Sequence, residues 1–240
     1  MSYIYHSYTN IGGRDKNEDA YVAIENKGKY LFVVADGLGG HEAGEIASGI
    51  VVNILQKQFE KSSKSFELEK AIRDANQAIM DKQKELGLRM RTTVTAVYVD
   101  KKKAVCANVG DSRTYLFYKG NIVFQSFDHS VAQMAVQSGE IEKKELRCHS
   151  DRNILTRALG SREDVKIDIT ILKEREFDSM LLCSDGFWEY VIEEEMQEDL
   201  SASQAPEIWH DKMYQRYQER IPYNNDNNTA IVVMKKRGVL

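Results

Sequence analysis

The chain has 240 residues, 42% of them hydrophobic, which is enough to bury one substantial core and lies within the range of a single domain. Its formal net charge of −4 argues against a nucleic-acid surface, which needs clustered Lys and Arg, and the two basic triplets, Lys101 to Lys103 and Lys235 to Arg237, read as solvated. Cys106, Cys148 and Cys183 form an odd set without a CxxC pair, which speaks against a disulfide framework or zinc finger and for a reducing compartment.

Tyr3 to Thr9 and Ala20 to Glu25 read as strands, separated by Gly12-Gly13 and the polar hexamer Arg14-Asp15-Lys16-Asn17-Glu18-Asp19. Tyr30 to Ala35 is an unbroken apolar run, rich in β-favouring residues and too short for a helix, so it reads as a strand buried on both faces. Asp36 sits at its carboxyl end, followed by Gly37, Gly39 and Gly40, which let the backbone approach a ligand closely. From Ala43 the apolar residues Ala47, Ile50, Val51, Ile54, Leu55 and Phe59 take helical spacing, and a second helical pattern carries Leu68, Ala71, Ile72, Ala75, Ile79 and Leu86. These two helices are expected to pack antiparallel.

Thr92 to Val99, Ala104 to Val109, Thr114 to Tyr118 and Ile122 to Phe127 follow as strands, with a hairpin turn at Lys119-Gly120-Asn121. The short loops predict an antiparallel meander, and Gly110-Asp111-Ser112-Arg113 places another carboxylate at a strand end. Asp128 to Gly160 is polar and helical in pattern, which suggests an inserted flap. Lys166 to Leu172 alternates again, Met180 to Cys183 is a short buried strand, and Ser184-Asp185-Gly186 repeats the strand-then-Asp-Gly arrangement. Helical stretches around Phe187 to Leu200 and Ala205 to Arg220 precede Asn224 to Asn228 and a last strand, Thr229 to Met234. The start, MSYIYHSYTN, lacks a basic segment followed by a continuous apolar one, and no apolar run approaches bilayer-spanning length, so a cytoplasmic protein is expected.

Asp36, Asp185 and Asp226 all adjoin short hydrophobic strands, with Asp111 and the Glu18-Asp19 pair in comparable positions. Taken singly, a carboxylate in a turn is most often a cap or an Asx-turn. Gathered in one cleft, several would repel unless protonated or neutralised by a cation, and oxygen ligands without Cys or His clusters favour Mg2+ or Mn2+ over zinc. Other motifs fail on single residues. Glu42 stands where a dinucleotide fingerprint wants its third glycine, and Thr114 where a nucleophile elbow wants its last.

The ordered set RDKNEDA (from Arg14), DGLGGHEAGEIAS (from Asp36), GDSR (from Gly110), DHS (from Asp128), NILTRALG (from Asn153), SDGFWEYV (from Ser184) and DNNT (from Asp226) resembles the metal-dependent protein Ser/Thr phosphatases of type 2C, the PPM family, in their compact bacterial form. The resemblance runs nearly end to end. It implies an α+β fold, a four-layer α-β-β-α sandwich of two antiparallel sheets flanked by helix pairs, in a single domain over 1–240 with a flap at about 128–160.

It also implies two tightly bound Mn2+ or Mg2+ ions. Asp36 would bridge both, the Gly37 carbonyl would bind one, and Asp185 and Asp226 would hold the other. Asp111 with Asp185 would form a weaker third site, and Glu18 and Asp19 would act mainly through water on the ions. Arg14 would grip the substrate phosphate with its planar fork of donors, against the plainer alternative of an ion pair with Asp15 or Glu18. His41 would either protonate the departing serine oxygen or cap the following helix. The implied activity is hydrolysis of phosphoserine and phosphothreonine on proteins by a hydroxide generated between two cations, opposing a cognate Ser/Thr kinase. A monomer is expected. The contrasting class is a pseudophosphatase that binds partners without hydrolysis, and retention of Arg14, Asp36, Asp185 and Asp226 favours the enzyme. One departure is Arg91 before Thr92-Thr93, where relatives often carry glycine; it reads as a solvated side chain or, alternatively, as a second cation near the cleft.

Overall fold

In the computed structural model, which describes residues 2–39, 43–62 and 65–236, the start of the chain forms the expected strands β1 (Tyr3–Asn10), β2 (Asp19–Asn26) and β3 (Lys29–Leu38). β3 explains its own unbroken hydrophobicity by period-two alternation. Leu31 and Val33 face one core and Tyr30, Phe32 and Val34 face another. Two helices follow, α1 (Ala43–Lys61) and α2 (Leu68–Leu86). α1 turns Ala43, Ala47, Val51, Leu55 and Phe59 inward at four-residue spacing, and α2 does so with Leu68, Ala71, Ile72, Ala75 and Ile79.

The expected strand Thr92 to Val99 is interrupted at Thr93, giving β4 (Arg91–Thr92) and β5 (Val94–Val99). After β6 (Lys103–Val109), β7 (Arg113–Tyr118) and β8 (Asn121–Gln125) the chain enters α3 (Val131–Ser138), whose first turn is capped by the Ser130 hydroxyl accepting from the Gln133 amide at 3.2 Å. A 3₁₀ turn covers Lys143–Cys148. β9 (Asp168–Lys173) and β10 (Ser179–Cys183) precede α4 (Asp185–Trp188), α5 (Glu193–Ser201), α6 (Pro206–Gln218) and β11 (Asn228–Lys235). The helix expected over Phe187 to Leu200 is thus two, broken around Glu189 to Ile192.

The strands form two antiparallel sheets, ordered β1-β11-β10-β7-β8 and β2-β3-β5-β6-β9, with β4 on β3. The meander expected from the short loops is therefore split: β5 and β6 pair in one sheet, β7 and β8 in the other. The turn at Gly110 to Ser112 crosses between them. Gly110 has φ +104, and a Cβ there would meet the Thr93 side chain at 2.6 Å, so neither the conformation nor the space admits another residue.

Three apolar clusters make four layers. Phe32, Val97, Leu116, Met180, Leu182 and Ile231 fill the space between the sheets. α1 and α2 cover the outer face of the second sheet, while Phe187, Trp188, Met196, Trp209 and Met213 cover the first. Each such large side chain contributes about 1.5–3 kcal/mol on burial, and truncating Phe32, fully buried at the centre, would cost about 3–5 kcal/mol.

Candidate active site

Antiparallel pairing collects the interesting loops at one end of the sandwich. β2 begins where β3 ends, with Asp19 opposite Asp36, and β5 begins beside the end of β6. In the other sheet Cys183, at the end of β10, lies opposite Ala230 near the start of β11 and opposite Arg113 at the start of β7. Asp36, Asp111, Asp185 and Asp226 therefore line a single cleft of about 600 Å³, together with Arg14, Lys16, Glu18, Gly37, Asn153 and Leu155. Asp36 does not end its strand as expected. It lies within the ladder, and β3 continues to Leu38 by pairing with β4.

Carboxylate oxygens of Asp36, Asp111 and Asp185 approach within 4.8 Å of one another. Three negative charges at that spacing would repel by about 3 kcal/mol per pair at an effective dielectric of about 20. Burial, then the neighbouring carboxylates led by Asp185, pushes the Asp36 carboxyl well above its ordinary range, and the same two causes push Asp111 up. Burial, with Glu189 and Asp226 adding to it, brings Asp185 up to about 7. Asp19 is pushed up to about 6, again chiefly by burial; one of its oxygens accepts from the Ser184 hydroxyl at 2.8 Å and the other is buried with no hydrogen-bond donor among the described residues. Converging hard oxygen donors, too close to be ionised together, are what a divalent cation would relieve, so this donor set fits Mn2+ or Mg2+.

The backbone of Asp36 is held from both sides. Its amide donates to the Thr93 hydroxyl at 3.0 Å, and its carbonyl accepts from the Thr93 amide at 2.9 Å and the Thr92 hydroxyl at 2.8 Å. Thr93 in turn shares a 2.7 Å hydrogen bond with Ser112, tying the Asp36 stretch of β3 to the Asp111 turn. Gly37 and Gly44 allow β3 and the start of α1 to touch: a Cβ on Gly37 would lie 2.3 Å from the Gly44 carbonyl oxygen, and one on Gly44 would lie 2.7 Å from the Glu18 carboxyl carbon. Burial raises the Glu18 carboxyl, opposed by its hydrogen bond from the Gly44 backbone. Asn227 accepts from the Glu18 amide at 2.8 Å and donates to the Ile11 and Lys16 carbonyls at 2.7 and 2.8 Å, stapling the 11–18 loop to the start of β11.

Asp226 lines the same cleft but stands outside the trio whose oxygens lie within 4.8 Å of one another. It is paired with Arg14 at 2.8 Å, with the two side chains 43% and 56% exposed. The ion-pair alternatives for Arg14, Asp15 and Glu18, are replaced by a partner more than two hundred residues along the chain. Arg91 is exposed and does not line the cleft, which is the solvated reading. His41 lies outside the described residues. Sequence reasoning missed Thr93, Ser112, Asn227 and Trp188, whose indole N–H donates to the Asp111 carbonyl at 2.9 Å. The one signal available was composition, an Asn-rich turn and an aromatic beside Asp185-Gly186.

A model of the family described as protein phosphatase 2C matches residues 8–227, and the chain belongs to that family: it is a protein phosphatase. It is 35% identical over 202 residues to the serine/threonine phosphatase stp of Listeria welshimeri, covering 80% of each chain. Among solved structures it is similar to serine/threonine phosphatase Stp1 from Staphylococcus aureus, with a TM-score of 0.89, 31% identity, and coverage of 99% of this chain and 96% of that one. It is also similar to the catalytic domain of the serine threonine protein phosphatase PstP in complex with 2 manganese ions, with a TM-score of 0.82, 30% identity and 97% coverage of both chains.

Proposed function

We propose that this chain hydrolyses phosphoserine and phosphothreonine on proteins with the help of Mn2+ or Mg2+. The observation that carries this reading is the convergence of Asp36, Asp111 and Asp185 within 4.8 Å, with carboxyls raised by burial and mutual repulsion, in a family of protein phosphatases. Asp36 would contact two ions, joined by the Gly37 carbonyl on one and by Asp185 and Asp226 on the other. Asp111 with Asp185 would serve a weaker third ion, and Glu18 and Asp19 would reach the ions through water. When bound, the pair supplies Lewis acidity toward phosphate oxygens and acidifies water.

The chain's own residues would do the rest. The Arg14–Asp226 pair is exposed, and such pairs are worth about 0–1 kcal/mol, so it exchanges readily. Asp226 is then available to a cation and the Arg14 fork to two phosphate oxygens. Asn153 and Leu155, at the cleft wall, would meet the peptide. His41 would donate the proton to the departing alkoxide or cap α1. Residues 128–160 would act as the flap of a single domain spanning 1–240.

The same reading makes the protein a cytoplasmic monomer that opposes a Ser/Thr kinase in signalling. Three free thiols and an odd cysteine count support a reducing compartment, and no helix among the described residues is long and apolar enough to cross a membrane. The test is a calorimetric Mn2+ titration. Wild type should bind two ions tightly, and Asp36→Asn should lose both; an unchanged isotherm in that variant removes Asp36 from the site.

A further inference from the structure

Beneath the cleft, a group of buried and half-buried polar side chains joins the segment after β8 to the residues around Asp111 and Asp185. Trp188, 2% exposed, is the last residue of α4, the helix that Asp185 begins. Its indole N–H donates to the Asp111 main-chain carbonyl at 2.9 Å. Two guanidinium groups lie against its ring. Arg113, at the start of β7, has its central carbon 3.4 Å from the ring centroid, and Arg147, in the 3₁₀ turn within the 128–160 segment, has its own at 5.3 Å. Arg147 also donates to the Trp188 carbonyl. Both arginines share Glu193, at 3.3 and 2.7 Å, and Arg113 grips both oxygens of Asp128, the first residue of the segment.

We propose that Trp188 is a positioning residue that fixes the Asp111 loop to the 128–160 segment, so that the seating of that segment through Arg147 sets the placement of Asp111. The proposal rests on the reading of Asp111 as a cation ligand. Two features separate it from ordinary core packing. The indole hydrogen bond ends on the backbone of a cleft residue and not on a neighbouring helix. The cation–π contacts come from one arginine anchored in the sheet and one carried by the overlying segment, so a single ring reads the position of both. Trp188 does not line the cleft. It acts only through the Asp111 carbonyl.

Trp188→Phe keeps a ring for the arginines and removes the donor. One neutral hydrogen bond corresponds to roughly a 3- to 10-fold effect. We expect kcat to fall by that factor on a phosphothreonine peptide with KM nearly unchanged, and Mn2+ occupancy of the weak site, followed by the electron paramagnetic resonance of free Mn2+, to weaken by a similar factor while the tight isotherm stays. Arg147→Ala, a change near the surface that leaves the Trp188 ring and Arg113 in place, should shift tryptophan emission and lower kcat. The double variant should be no worse than the more impaired single, because both interrupt one connection.

Asp111→Asn, measured beside them, separates the two layers of the argument. If Asp111→Asn leaves the weak isotherm and turnover unaltered, the ligand reading of Asp111 fails and this proposal with it. If Asp111→Asn weakens both and Trp188→Phe weakens neither, the ligand reading stands and Trp188 is merely core. Should Trp188→Phe not fold, additive losses in Arg147→Ala combined with Asp111→Asn, showing the segment and Asp111 to be independent, overturn the proposal; non-additive losses support it.

Discussion

Replacing Arg113 by Met should be among the most damaging single changes outside the cleft. The side chains of Arg113 and Asp128 are 3% and 2% exposed, and two parallel hydrogen bonds of 2.8 and 2.7 Å join them. Methionine approximates the volume of the arginine stem but leaves the Asp128 carboxylate buried without its partner. Breaking a buried pair from one side costs about 3–5 kcal/mol. For a chain of this length 1 kcal/mol corresponds to about 2–4 °C, so Tm should fall by roughly 6 to 20 °C. Thermal and urea unfolding followed by circular dichroism measure this directly. Adding Asp128→Asn should return part of the loss, since the stranded charge is then gone. A loss below about 1 kcal/mol, the value of exposed pairs, or a double variant equal to the sum of the singles, would refute the view that this ion pair anchors the base of the 128–160 segment.

Arg14→Ala should lower kcat/KM for a phosphopeptide by about 10- to 100-fold, as for lost charge-assisted hydrogen bonds, and leave Mn2+ affinity intact; calorimetry that shows lost Mn2+ binding would make Arg14 structural. His41→Ala should slow phosphopeptide hydrolysis by roughly 10²- to 10⁴-fold but nitrophenyl phosphate far less, because an aryl oxide departs without a proton; equal losses would favour the capping role. Burial holds the His129 imidazole below its ordinary pKa, with Nδ1 accepting the Gly110 amide at 3.1 Å and Nε2 facing Asp168 at 3.1 Å. The unfolded chain then takes up a proton near pH 6.5 that the folded chain resists, so this contribution is present above about pH 6.5 and is lost as pH falls. His210 is depressed in the same direction, whereas the raised Asp19 and Asp185 carboxyls act the other way, so the effect of His129 is read as a difference. Relative to wild type, the urea midpoint of His129→Gln should gain on acidification below about pH 6.5, and parallel profiles would show that His129 does not contribute.

The strands and helices flanking the cleft were legible because their periodicities are strong: β3 is apolar throughout and α1 repeats its buried residues every fourth position. The assignment of strands to sheets was not. β5 to β7 are almost continuously buried, so no one-faced pattern marks which sheet each joins, and the turn at Gly110, with its positive φ, is where the chain leaves one sheet for the other. Asp36, Asp111 and Asp185 could be picked out because in the sequence each follows an apolar run and adjoins a glycine. The partner of Arg14 could not, since Asp15 and Glu18 are near in sequence whereas Asp226 is brought near by the pairing of β1 with β11 and the Asn227 bonds to the 11–18 loop. Thr93, Asn227 and Trp188 act through backbone groups of distant residues, and no local pattern encodes such a bond.

Initial-rate hydrolysis of a phosphothreonine peptide in Mn2+, repeated in excess EDTA and again after Mn2+ is restored, tests the central claim most directly. Turnover should vanish with chelation and return with the ion, and Asp36→Asn should stay inactive at every Mn2+ concentration. Full activity in EDTA, or an active Asp36→Asn enzyme, would contradict the assignment of this acidic cleft to cation-dependent phosphate hydrolysis.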